Sequence, residues 1–179
     1  NGFTSPTEDI SGLNEGYYAV TVTDSKGCKA TANITLTQPP VLNGTVASTN
    51  ITCFGANDGT ITISGATGGT GTYEYTIDGG TTWQASGNFT ALAPGFYNVQ
   101  IRDAAHITCI VTLNGSLRIT EPPVLSANVA SFNVTCNGAN DGRIIISGPT
   151  GGYGTYEFSV SGGASWQASG TFTNLAPGS

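Results

Sequence analysis

The segment TCFGANDGTITISG, Thr52 to Gly65, returns as TCNGANDGRIIISG from Thr135 to Gly148. Cys53 recurs as Cys136, Trp83 as Trp166, and Pro39-Pro40 as Pro122-Pro123, each 83 residues on. Upstream, LNEGYYAV (Leu13 to Val20) is a relative of LAPGFYNV (Leu92 to Val99) at a shift of 79, and small insertions near His106 and Asn114 make up the difference. A fixed period limits the fold to a unit that closes within one repeat and stacks or strings with its neighbours. Residues 1–40 read as the C-terminal part of a first repeat, 41–123 as a complete one, and 124–179 as the N-terminal part of a third. The chain is expected to be a window on a longer array.

Alternation at period two divides the complete repeat into about seven short strands with Gly-rich turns between them. The first covers residues 42–52 and ends in CFGANDG, where Asn-Asp-Gly tolerates positive φ. TITIS places Ile61 and Ile63 on one face, as RIIIS places Ile144 and Ile146. Tyr73, Tyr75 and Ile77 share a face of the third strand, matched by Tyr156, Phe158 and Val160. Short strands at TTWQA and NFTAL follow. FYNVQIRD turns Tyr97, Val99 and Ile101 inward, and the seventh strand runs from Cys109 to Thr120. This pattern predicts an all-β fold of tandem immunoglobulin-like seven-stranded β-sandwiches. LAPGFY, with a Leu, a Pro-Gly turn and a Tyr opening a core strand, resembles a tyrosine corner. Tyr97, and Tyr18 before it, are expected to bury the ring and return the hydroxyl to backbone.

Composition closes several functional classes. With five Lys and Arg and a net charge of −6, the chain cannot neutralise a run of phosphates, so nucleic acid is excluded as a partner. The 26 Gly and 8 Pro raise disorder as a reading, but 38% of the residues are apolar and periodically placed, which favours a folded β protein. No stretch has the apolar length of a membrane span, and no basic-plus-apolar leader starts the chain. Nucleophilic catalysis needs a base beside the nucleophile. The single histidine, His106, sits in a turn insertion. Asp58, Asp78, Asp103 and Asp141 are isolated turn acids rather than paired carboxylates in a cleft. Asp24 and Asp103 close equivalent strands and are expected to cap their turns. Calcium at GANDG would find only one Asp and one Asn per loop. The reading is therefore a non-enzyme with no cofactor and no metal. Asn33, Asn43, Asn50, Asn88, Asn114 and Asn133 begin Asn-x-Ser/Thr triplets, which in a chain rich in Asn and Thr mark polar surface more than glycans.

GGTTWQASG (Gly79 to Gly87) and GGASWQASG (Gly162 to Gly170) pose the sharpest choice between a ligand site and a structural joint. TIDGGTTW (Thr76 to Trp83) resembles the Asp-box of sialidase-like propellers, a hairpin turn whose Asp bonds turn amides. The third repeat carries Ser161 where Asp78 stands, so a required carboxylate is not expected. The segment reads as a turn and plug, with exposed Trp83 and Trp166 as the alternative sugar platform.

Cys28, Cys53, Cys109 and Cys136 imply an oxidising compartment if paired. Seven alternating strands put Cys53 and Cys109 at opposite ends of a repeat. A strand of about 10–12 residues spans roughly 35–40 Å, against the ~7 Å Cα limit of a disulfide. Cys28–Cys53 and Cys109–Cys136 are separated further still. An odd strand count also sets the termini at opposite ends. Staples between consecutive domains are expected, Cys53 pairing with the matching cysteine of the third repeat beyond Ser179, and the other three with partners outside the chain.

The ordered set T-C-x-G-x-N-D-G-x-I-x-I-S-G, G-T-Y-E-Y, D-G-G-T-T-W, L-A-P-G-F-Y and E-P-P resembles the SprB-type repeats of giant surface adhesins in gliding bacteria. D-S-K-G-C (Asp24 to Cys28) fits that family's D-x-x-G-C, whereas the second copy departs with DAAHITC. The resemblance implies an extracellular filament, exported by the type IX route and held at the outer membrane, which supports adhesion or gliding as a stalk. Its implied partners are neighbouring repeats, surface polysaccharide or other filament copies, without direct membrane insertion. Three rivals stand beside it: a carbohydrate-binding module using Trp83 or Trp166, a self-polymerising filament subunit completed by strands of a neighbouring copy, and an accessory domain of a secreted hydrolase.

Overall fold

The computed structural model describes residues 10–177, and the outermost parts of the first and third segments, residues 1–9 and 178–179, lie outside them. The described residues form strands and turns without a helix. The complete repeat holds β3 (Asn43–Thr49), β4 (Gly59–Thr67), β5 (Tyr73–Thr76), β6 (Asn88–Leu92), β7 (Gly95–Asp103) and β8 (Ile110–Ile119). They make two antiparallel sheets, in the orders β3-β4-β6 and β5-β7-β8, packed as a sandwich. Leu42, Ile51, Ile61, Ile63, Tyr75, Val99, Ile101 and Ile119 are the buried core between them. Tyr73, Ile77 and Tyr97 pack against that core, so the alternation in β4, β5 and β7 points inward where the period-two pattern places it.

The seven-strand expectation is corrected to six paired strands. TTWQA touches the sheet through one bridge only, Gln84 to Tyr75, because the Asp78 carboxylate takes the amides of Thr81 and Thr82 at its start. Direction still reverses along this leg. Gln84 runs antiparallel to β5, so β5 and β6 point the same way and the two ends of the repeat remain opposite. The first and last strands close one side of the sandwich in parallel. Leu113 lies over Gly44 at one end, and the Ile51 amide donates to the Thr120 carbonyl at the other. The Cys53 loop therefore sits at the trailing end with Thr120, and Cys109 sits at the leading end with Pro40.

The flanking segments are halves of the same design. In the first, β1 (Gly16–Thr23) and β2 (Lys29–Leu36) form a two-stranded ribbon equivalent to β7-β8. In the third, β9 (Ser126–Phe132), β10 (Gly142–Thr150) and β11 (Thr171–Leu175) repeat the order of β3, β4 and β6. Tyr156, Phe158 and Val160 do not form the expected strand, and only Phe158 bridges Gln167. The reason is pairing: β5 is held in the complete repeat by β7, and the third segment has no counterpart of β7 among the described residues.

Candidate functional site: turns, clamps and the joint between repeats

WQASG is built into the fold at almost every position. The Trp83 indole donates to the Gly80 carbonyl (3.0 Å), and the Gln84 side chain donates to the carbonyls of Ser86 (2.7 Å) and Asn88 (3.0 Å). Gln167 repeats both bonds, to Ser169 and Thr171. A Cβ on Gly87 would overlap the Ile63 carbonyl oxygen, and one on Gly170 would overlap that of Ile146, so only glycine lets this leg approach the sheet. Upstream, Asp78 accepts from the amides of Thr81 and Thr82 and from the hydroxyls of Thr76 and Thr82. Burial pushes its carboxyl up, but these donors outweigh it and hold it well below the usual carboxylate range. Ser161 does the same work without charge, accepting the Ser165 amide while Ser159 accepts those of Ser161 and Gly163.

Arg102 lies over the Trp83 ring, 4.3 Å from its centroid, and also pairs with Glu74 at 2.6 Å. One face of Trp83 is thus occupied by a guanidinium. Trp166 is 61% exposed, beside Glu157 but with no counterpart of Arg102 among the described residues. The Tyr97 hydroxyl donates to the Ala93 carbonyl and the Tyr18 hydroxyl to that of Asn14, both 2.8 Å, and both rings are half-buried.

The acids of the other turns are occupied in the same manner. Asp58 accepts from the amide and hydroxyl of Thr52, and Asp141 from those of Thr135. These bonds hold both carboxyls low. Asp24 accepts the amides of Lys26 and Cys28. Asp103 does more than the strand-end cap its position suggests. It is 1% exposed and accepts the amides of Ala105 (2.9 Å) and His106 (3.2 Å) on its own turn. It also accepts the amide (2.6 Å) and hydroxyl (2.9 Å) of Thr70, from the Gly-rich turn between β4 and β5. Burial pushes this carboxyl up, and the Thr70 and turn donors overcome that to bring it to about 2. Nothing local in the sequence joins Thr70 to Asp103, since 33 residues separate them.

Four cysteines stand free and exposed: Cys109 and Cys28 in equivalent turns, Cys53 and Cys136 in equivalent loops. Around the Cys53 loop the structure brings two repeats together. Thr120 donates to the Asn50 side chain, and the Glu121 carboxylate accepts the Gly55 amide at 2.9 Å. Two residues on, the Pro123 carbonyl accepts the Gly152 amide of the third segment. Across this joint the Tyr153 hydroxyl donates to the Ile51 carbonyl at 2.6 Å. At the earlier joint, the Pro40 carbonyl accepts Gly69 in the same way, but Thr70 stands in the place of Tyr153 and turns to Asp103. The one signal in the sequence for this contact is that Thr70-to-Tyr153 exchange within two otherwise similar Gly-rich turns.

A β-sandwich closed by buttressed turns and joined end to end defines a tandem structural repeat. Residues 45–82 and 128–165 match the family model described as SprB repeat, so the chain carries two copies of the SprB repeat. Such repeats belong to adhesin-like regions of cell-surface proteins. No curated protein and no solved structure matches the chain.

Proposed function

We propose that the chain is a structural stalk segment of a long secreted cell-surface adhesin or filament, one that supports adhesion or gliding. The observation that carries the reading is the joint. Thr120 and Glu121 are fastened to one repeat and Pro123 to the next, leaving only Pro122 between the anchors. Proline there has a fixed φ, and the ends of the repeat are opposite, so successive units extend a line. The SprB match supports placement at the cell surface. Type IX export and attachment to the outer membrane belong to this proposal, as do the segment boundaries at 40/41 and 123/124. The sheet orders β3-β4-β6 and β5-β7-β8 support the immunoglobulin-like reading of the sandwich, with the Gln84 bridge in the place of the fourth strand.

The test is imaging of intact cells with antibodies raised against residues 41–123. The expected result is labelling of thin external filaments whose length grows by about 35–40 Å per repeat. Absence of surface label, or label confined to compact particles, overturns the stalk.

A second reading, the self-polymerising subunit, draws on the exposed faces of the half-repeats. Leu125 is 65% exposed where its equivalent Leu42 is 5%, and Val22 is 66% exposed where Ile101 is buried. β1-β2 of one copy and β9-β10-β11 of another are the two sheets of one sandwich. Filaments formed by the 179-residue chain alone would support this version, and a monomer at high concentration would remove it.

A further inference from the structure

At the leading end of the complete repeat lies an apolar cleft of about 400 Å³, walled by Gln38, Pro40 and Leu42 of the linker and by His106, Cys109 and Val111. The second joint indicates what such a cleft faces. Glu121 is the counterpart of Gln38, and its side chain holds the Gly55 amide of the loop at the trailing end of the complete repeat, which precedes that joint. A glutamine carbonyl can accept the same amide. Carried from one joint to the other, this contact sets a Thr-Cys-x-Gly loop of a preceding repeat at the mouth of the cleft. The cysteine of that loop is two residues from the anchored glycine, as Cys53 is from Gly55. Phe54 beside it is 56% exposed, an apolar side chain at the tip of a loop that reaches the joint.

We propose that the cleft is the socket for the trailing loop of the preceding repeat, and that seating the loop brings its cysteine to Cys109 to form a disulfide between repeats. The proposal rests on the array reading above. Cys53 and Cys109 of one repeat cannot make this bond, since they lie at opposite ends of the sandwich, whereas thiols on either side of a joint share one end. Formation of the bond takes two protons and two electrons from the pair of thiols. A disulfide oxidant such as oxidised glutathione accepts them and leaves as two thiols. The same step at the second joint would use Cys53 and the counterpart of Cys109 in the third repeat.

The chain itself provides the test, because Cys28, Cys53 and Cys136 are exposed internal controls. The probe is the octapeptide TCFGANDG with its cysteine activated as a thiopyridyl disulfide. Attack by a protein thiolate transfers the peptide and releases thiopyridone, and mass mapping reads which cysteine took it. The expected result is that Cys109 reacts about tenfold faster with this peptide than with a scrambled one, a decade of local binding. The other three cysteines should not distinguish the two peptides, and Gln38→Ala should reduce the preference at Cys109. Equal rates at Cys109 for both peptides overturn the socket. In an array of consecutive repeats, non-reducing peptide maps should link Cys109 to the Thr-Cys-x-Gly peptide of the preceding repeat. Straight filaments with every thiol open to alkylation would remove the staple and leave the stalk standing.

Discussion

Asp103 shows how a single side chain can hold one end of the repeat. Its carboxylate ties the turn after β7 to the Gly-rich turn before β5, and both turns border the joint. An ionised acceptor makes stronger hydrogen bonds than a neutral one, so the clamp depends on charge. The folded pKa of about 2 lies below the unfolded value near 3.9. Stability from this group is therefore fully present above the unfolded pKa and is lost as pH falls from about 4 toward 2. Asp103→Asn removes the charge at every pH. Urea midpoints of the variant should lie below wild type at pH 7, and the gap should narrow as pH falls through that range. A gap that stays constant from pH 7 to pH 2 would assign the Asp103 contribution to shape rather than charge.

At the scale of elements, the strands with clean alternation were legible: β4, β5 and β7 bury the faces that Ile61, Ile63, Tyr75, Val99 and Ile101 mark. Two kinds of feature were not. TTWQA has strand-like residues, but Asp78 takes the amides of Thr81 and Thr82 and leaves only Gln84 to pair with β5, so local composition overstates it. The Thr70–Asp103 clamp and the Tyr153–Ile51 contact join residues far apart in sequence, and no periodicity encodes such pairs. A third feature is visible only as a backbone angle. Ala91 in β6 has φ of 56° and Asn174 in β11 has φ of 58°, each beside the register shift that bends the strand. Asparagine tolerates this left-handed conformation, and alanine does so only at a cost of roughly 1–2 kcal/mol. Ala91 is exposed, so Ala91→Gly removes no core packing. Offset by the greater freedom of glycine in the unfolded chain, the net gain should be about 0.5–1 kcal/mol. Thermal melts would register it as a rise of a few degrees, and an unchanged or lower midpoint would show that the bend is not strained.

For the whole molecule, the decisive property is how one repeat hands its orientation to the next. The linker leaves Pro122 alone between anchored neighbours, and Tyr153 then adds one direct bond across the joint to the Ile51 carbonyl. At the earlier joint Thr70 is committed to Asp103, so within this Gly-rich turn the two joints differ at position 70/153. Position 70/153 is thus where an array of near-identical units can vary its stiffness without altering its sandwiches. A neutral hydrogen bond contributes about 1 kcal/mol net, so its loss should raise the undocked population roughly fivefold. Residual dipolar couplings measure this directly. In the wild-type chain, couplings from β3 to β8 and from β9 to β11 should fit one alignment tensor. In Tyr153→Phe and Tyr153→Thr, each segment should keep its own internal fit while the β9–β11 tensor shrinks relative to that of the complete repeat. A single shared tensor in both variants would mean that Pro122 and its flanking anchors set the joint unaided, and that Tyr153 only rests against it.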